Sequence, residues 1–342
     1  MALEVVVRTR RAGRARASAV CLTLAVLCFA VLCVSLALGD VTIPVFDVVA
    51  TLFGGGDAGA GYIVTELRLP RGLVAVLAGA AFGLSGAIFQ SLTRNSLASP
   101  DIIGITAGAS AAAVVALLVF NVRGAGVSLA ALAGALGSAA VIYAVAWRGG
   151  VSGYRFVLSG VAMAAMLTSV VSYCLTRVEV HLARDALAWL TGSLNAKSWD
   201  TATTLGIGVA ILAPAALVAG RWLTALQVGD DLARVQGVHV ERARLGLLAV
   251  AVALAAVATA AVGPVAFVAF VAGPIARRLA GGGGPGLVPA ALVGALVMTA
   301  ADVVGQHAIA GTQFPVGVVT AIIGGPYLLW LLVITNRVGR GD

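Results

Sequence analysis

Arg68-Leu-Pro-Arg71 opens an apolar stretch that runs to Phe89. The polar turn Gln90-Ser-Leu-Thr-Arg-Asn-Ser-Leu-Ala-Ser-Pro-Asp101 follows it, and a second apolar stretch opens with Gly104-Ile-Thr-Ala-Gly108. Two such runs around a short turn predict two membrane crossings, because a helix needs about 20 apolar residues to bridge the hydrocarbon of a bilayer. Two arginines then stand together at one membrane face, and the turn lies at the other.

The rest of the chain has the same character. Of its 342 residues, 61% are hydrophobic and 11% charged, and the mean hydropathy is +1.05, which excludes an ordinary soluble domain. The fold class expected is all-α and polytopic, with about ten crossings near residues 18–38, 70–89, 102–120, 127–147, 156–176, 202–222, 245–262, 264–279, 287–305 and 315–334. The seventh and eighth nearly touch at Gly263-Pro264. The apolar run Ser18–Leu38 behind Arg8, Arg10, Arg11, Arg14 and Arg16 exceeds the core of a secretory signal, so it is expected to be an uncleaved first helix.

Charge orients this arrangement. With a cytoplasmic N-terminus and ten helices, only Arg68, Arg71, Arg123, Arg177, Arg184 and Lys197 of the 22 basic residues fall outside, and the other sixteen fall inside. That bias follows the positive-inside rule and puts both termini in the cytoplasm. The net charge of +8 then belongs to the cytoplasmic face and needs no nucleic-acid partner. The expected organisation is a basic cytoplasmic N-terminus (1–17), one transmembrane domain (18–336) with an inner loop at about 222–244, and a short cytoplasmic tail (337–342) in a multi-pass membrane protein.

Several chemistries are missing. An ion-coupled carrier needs ionisable groups at mid-membrane, yet Asp302 is the clearest candidate in the spans and lies towards the outer end of its helix. His181, His239 and His307 are scattered among loops. The single lysine, Lys197, follows Ala196, so no Walker phosphate loop is present. No Gly-x-Ser-x-Gly elbow or suitable carboxylate pair points to catalysis. Cys21, Cys28, Cys33 and Cys174 have no CxxC spacing and suit small apolar positions. No catalytic residue, metal or cofactor is expected in this chain, and its energy is expected to come from a separate protein.

The inner loop carries a candidate contact for that protein. Leu226, Leu232, Ala233 and Val235 form the apolar face of a short amphipathic helix, and Gly229 and Gly237 punctuate its ends. A solvated connector is the alternative. Arg68 and Arg71 likewise allow two readings: they snorkel to lipid headgroups, or they offer forked charge-assisted bonds to a partner's carboxylates. Gly79-x-x-x-Gly83 and Gly104-x-x-x-Gly108 suggest close helix packing.

Taken together, Arg68-Leu-Pro-Arg71, the run Gly86–Gly104, Trp189-Leu-Thr-Gly-Ser-Leu-Asn195, the loop Gly229–Gly237, Gly263-Pro-Val-Ala-Phe-Val268 and Phe314–Pro326 resemble the FecCD family of ABC-importer permeases, in order and over nearly the whole chain. The resemblance implies a BtuC-like type II importer fold with ten helices per subunit. It also implies a second permease subunit, a cytoplasmic ATPase dimer that carries the ATP and Mg, and an extracytoplasmic substrate-binding protein.

Under that resemblance Gly229, Asp230, Asp231, Leu232, Ala233, Arg234 and Gly237 match the ATPase coupling segment. Arg68 and Arg71 match the arginines that receive the binding protein, and Asn95 and Leu97 match a cytoplasmic gate. Three positions depart from the family pattern: Gln306 stands where related permeases carry a further docking arginine, Gln313-Phe-Pro315 replaces Glu-x-Pro, and Gly273-Pro274 precedes Ile-Ala-Arg277. These departures suit one half of a heterodimer. The implied cargo is a ferric siderophore, with cobalamin or haem as alternatives; an ion-coupled secondary transporter is the alternative from another class.

Overall fold

The computed structural model describes residues 2–39, 41–55, 58–147, 153–281, 284–309 and 312–339. Arg148 and Arg340, placed inside above, lie outside these residues. The described chain is helical throughout except for turns. Its elements are α1 (Ala2–Ala37), α2 (Val45–Leu52), α3 (Ala58–Tyr62), a π-helical turn (Ile63–Arg68), α4 (Leu69–Thr93), α5 (Ile105–Leu118), α6 (Ala125–Ala146), α7 (Gly153–Thr176), α8 (Val180–Leu190), α9 (Trp199–Val228), α10 (Asp230–Val235), α11 (Val240–Val262), α12 (Val268–Ala280), α13 (Leu287–His307) and α14 (Val316–Gly339).

Each of the ten expected crossings falls on a helix. Seven spans are long and apolar enough to cross a membrane, and Ile105–Leu118 and Val316–Leu331 are shorter apolar helices. The eighth, α12, keeps only 13 residues because Gly263–Phe267 is not helical, so the expected crossing at 264–279 is a broken one. Phe267 holds φ 69°, and Gly263 φ 82°.

Other ends also move. α1 starts at Ala2 rather than Ser18, since its alanines and arginines favour helix and the membrane-like part begins at Arg11. α9 continues to Val228, beyond the expected end at 222, and α11 begins at Val240, so the inner loop contracts to Gly229–His239. The short helices α2 and α8 lie where the sequence suggests only connection.

α4 is the axis of the bundle. Its membrane window is 78% buried, against 17% for that of α7. Glycines make this possible. A Cβ on Gly79 would strike Met298 at 2.7 Å, one on Gly83 would meet the Ala290 backbone, and Gly86 lies against the Ala269 carbonyl of α12. Close backbone approach replaces hydrophobic driving force inside a bilayer, where lipid is as apolar as leucine. Gly108 packs likewise on Gly134 and Ser138 of α6, and Gly104 on Gly160 of α7.

Candidate functional site

Arg68 and Arg71 lie at one end of α4, and both guanidiniums point inward. Arg68 Nη1 donates to the carbonyls of Leu36 at 2.7 Å and Ala37 at 3.2 Å, and its Nη2 donates to that of Val41 at 2.6 Å. The last carbonyls of α1 have no helical donors, and a cation suits the negative end of a helix. Arg71 forms a forked pair with Asp302 of α13, Nη2 to Oδ1 at 2.8 Å and Nε to Oδ2 at 3.1 Å, with the side chains 17% and 3% exposed. Gln306, one turn further on, donates to Asp302 Oδ2 at 2.8 Å. The residue that departs from the family pattern therefore completes the coordination of Asp302.

The turn after α4 lies at the opposite end. Arg94 closes the helix in the left-handed conformation, φ 50° and ψ 34°. Asn95 Oδ1 accepts the N–H of Leu97 at 2.9 Å, an Asx-type turn that orders the loop, so the two expected gate residues are bonded to each other. Asp101 Oδ2 accepts the N–H of Phe267 at 3.2 Å and so holds the break before α12 against this turn. Burial raises the Asp101 carboxyl above the usual range, opposed by backbone hydrogen bonds, that from Phe267 among them. A recess of about 530 Å³ beside it is lined by Asp101, Thr106, Thr191, Pro264, Gly317 and Ile322, among others.

The third group is α10 and its flanks. Gly229 and Gly237 take φ 128° and 80°, so the expected short helix between glycines is present. Its apolar face divides differently from the expectation. Leu226 belongs to α9 and is buried, as is Ala233, whereas Leu232 is 53% and Val235 84% exposed. The reason is geometric: only one side of a six-residue helix can rest on α9 and α11. Asp231 pairs with Arg234 at 3.0 Å on the outside. Asp230 faces inward and meets Arg244 of α11 at 3.1 Å and Arg94 at 3.9 Å.

Gln90, Asp101, Phe267, Arg244 and Arg277 were not singled out from sequence. Pro274 signals a carbonyl lacking its helical donor, but nothing local names Gln90 as the donor. Among the described residues, no group of three or more His, Cys, Asp and Glu side chains could hold a metal ion.

A membrane-length bundle around a glycine-faced axis, with broken backbone beside a recess and a short protruding helix at one end, is the architecture of a polytopic membrane permease. The chain belongs to the FecCD transport family, whose model matches residues 27–334. It is 41% identical over 300 residues to the ferric enterobactin transport system permease protein FepG of Escherichia coli (strain K12), covering 87% of this chain and 91% of that one. It is 37% identical over 310 residues to the achromobactin transport system permease protein CbrC of Dickeya dadantii (strain 3937), covering 90% and 89%. Among solved structures, an inward-facing metal-chelate type ABC transporter matches with a TM-score of 0.82 at 23% identity, covering 93% of this chain and 99% of that chain, which bears on the fold alone.

Proposed function

We propose that this chain is one permease subunit of an ATP-driven importer for ferric siderophores. In this reading it works by alternating access with a second permease subunit, a cytoplasmic ATPase dimer and an extracytoplasmic binding protein. The observation that carries the proposal is 41% identity with a ferric enterobactin permease over 87% of the chain. The protein sits in a bacterial cell membrane with the α10 face and both termini in the cytoplasm, as the inner excess of arginines favours.

Leu232 and Val235 then enter a cleft of the ATPase, the turn at Asn95 and Leu97 closes the inner end of the path, and Arg68 and Arg71 receive acidic groups of the binding protein. An acidic docking partner has to compete with Asp302 and with the α1 carbonyls for those guanidiniums. The recess beside Asp101 lines part of the path that a second subunit completes.

The relative at 41% identity is a ferric enterobactin permease, which favours a siderophore over cobalamin or haem. An ion-coupled mechanism is disfavoured because the two buried carboxylates best placed for it are engaged within the fold, Asp302 by Arg71 and Gln306 and Asp101 by the Phe267 N–H. The test is uptake of radioiron-labelled ferric enterobactin into proteoliposomes holding this chain, its permease partner, the ATPase and the binding protein. Accumulation is expected only with ATP; accumulation without it defeats the proposal.

A further inference from the structure

Asp230 joins two parts of the molecule that the backbone keeps apart. α10 rests on α9 and α11, while the turn at Asn95 and Leu97 hangs from the end of α4. Gly229 caps α10 without a side-chain hydrogen bond, and the Asp230 carboxylate reaches sideways instead of folding back over the helix end. Both of its oxygens lie 3.1 Å from Arg244 Nη2, and Oδ1 lies 3.9 Å from Arg94 Nη2. That same Arg94 nitrogen donates to the Leu226 carbonyl in the last turn of α9 at 2.8 Å. Arg94 also holds a left-handed conformation that a non-glycine residue adopts at a cost of about 1 kcal/mol or more. The residue that spends this strain stands immediately before Asn95, whose side chain orders Leu97.

We propose that Asp230 is a positioning residue that transmits movement of α10 to the inner gate, with Arg94 as the receiving group and Arg244 as the anchor that keeps the carboxylate aimed. This rests on the importer reading above and adds to it the specific route. The side chains of Arg94 and Asp230 are 57% and 37% exposed, and exposed ion pairs add little to folding stability. The left-handed backbone of Arg94 is the C-cap of α4, but its side chain reaches the Leu226 carbonyl and the Asp230 carboxylate at once, a cross-link that adds little stability and sets the register between α10 and the gate turn.

The test uses the assembled transporter with Asp230→Asn, Arg94→Gln and the double variant. Binding-protein-driven uptake of radioiron-labelled ferric enterobactin is expected to fall about five- to tenfold in each single variant, with the double variant no worse than either single one. Co-purification of the ATPase with the Arg94→Gln variant is expected to stay within about twofold of the parent, because Arg94 lies outside the coupling segment and the outward apolar side chains of α10 are untouched. Undiminished uptake in both single variants, or losses that multiply in the double variant, overturns the relay. Loss of ATPase from Asp230→Asn also overturns it, by making this a docking residue. If the unaltered assembly accumulates no label with ATP, the importer reading itself fails.

Discussion

Gln90 of α4 donates through Nε2 to the carbonyl of Phe270 at 2.9 Å, and that carbonyl is the one Pro274 leaves without a helical donor. Proline has no N–H, so the break it makes inside α12 needs a substitute from a neighbouring helix. Gln90 is 2% exposed, and its Oε1 accepts from Arg277 Nη2 at 3.0 Å, so both ends of one amide are used. Gly273 leaves the space in which that amide sits, since a Cβ there would collide with Gln90 Oε1. The Gly-Pro pair that departs from the family pattern is thereby matched to a glutamine far away in sequence.

Gln90→Leu keeps the volume and removes both bonds. It strands a buried carbonyl and a guanidinium donor, at a cost of about 1–3 kcal/mol for each unsatisfied group. A lower melting temperature of the purified protein in detergent is expected, together with fluorescence evidence of loosened α4–α12 packing. A variant that melts with the parent rules out this account of the Pro274 break.

The Arg71–Asp302 pair yields a separation of stability from docking. Removing one partner of a buried ion pair leaves an uncompensated charge, a loss of about 3–5 kcal/mol, whereas removing both is far milder. Arg71→Ala is therefore expected to destabilise the protein strongly, and Arg71→Gln with Asp302→Asn only slightly. The double variant still lacks the guanidinium. If Arg71 receives a carboxylate of the binding protein, its surface-binding affinity should fall roughly 10- to 100-fold, the worth of about 1.5–3 kcal/mol for a charged hydrogen bond. Unchanged affinity assigns Arg71 to the fold alone.

The parts legible in the sequence were those with a local physical signature. Hydrocarbon thickness imposes run length, so the ten apolar segments could be read directly, and Gly229 and Gly237 marked the ends of α10 because their backbone requires positive φ. The polar turn was legible as a turn, though the Asx bond that Asn95 makes within it was not read. What remained hidden was non-local. Arg71 and Asp302 are separated by 231 positions, and Gln90 and Phe270 by 180, with no periodicity linking either pair. Two arginines that looked free as sequence are engaged by carbonyls and a carboxylate. Phe267 gave no warning of its left-handed backbone, since a bulky residue is a poor guess for that conformation. The extra helices α2 and α8 are too short to produce a span, and they pass as loops.

Asp101 supplies a pH-dependent expectation. Its carboxyl is held above the usual range by burial, so the folded protein binds a proton more tightly than the unfolded chain. Stability then decreases as pH rises from the ordinary carboxylate range through the raised folded value, and the penalty is complete above it. Asn keeps an acceptor for the Phe267 N–H while lacking the charge. Asp101→Asn is therefore expected to melt at or above the parent temperature at neutral pH, with the gap closing in acid, whereas Asp101→Ala loses the acceptor and melts lower. A gap that widens in acid contradicts this assignment.

Leu232 and Val235 on α10 are 53% and 84% exposed beside buried Ala233, and large apolar side chains on a protruding helix incur a cost in water that a partner relieves. Neither side chain supports the bundle, so polar replacements should leave the fold alone. Leu232→Ser with Val235→Ser is expected to preserve the melting temperature within a degree or two while ATPase recovery on the purified permease falls at least tenfold, because the few anchors of an interface carry most of its affinity. Ala233→Leu has the opposite logic: it forces bulk between α10 and its supports, and both melting temperature and ATPase recovery should drop together. Full ATPase recovery with the double serine variant removes α10 from the interface and leaves its exposed apolar residues to be explained by some other partner.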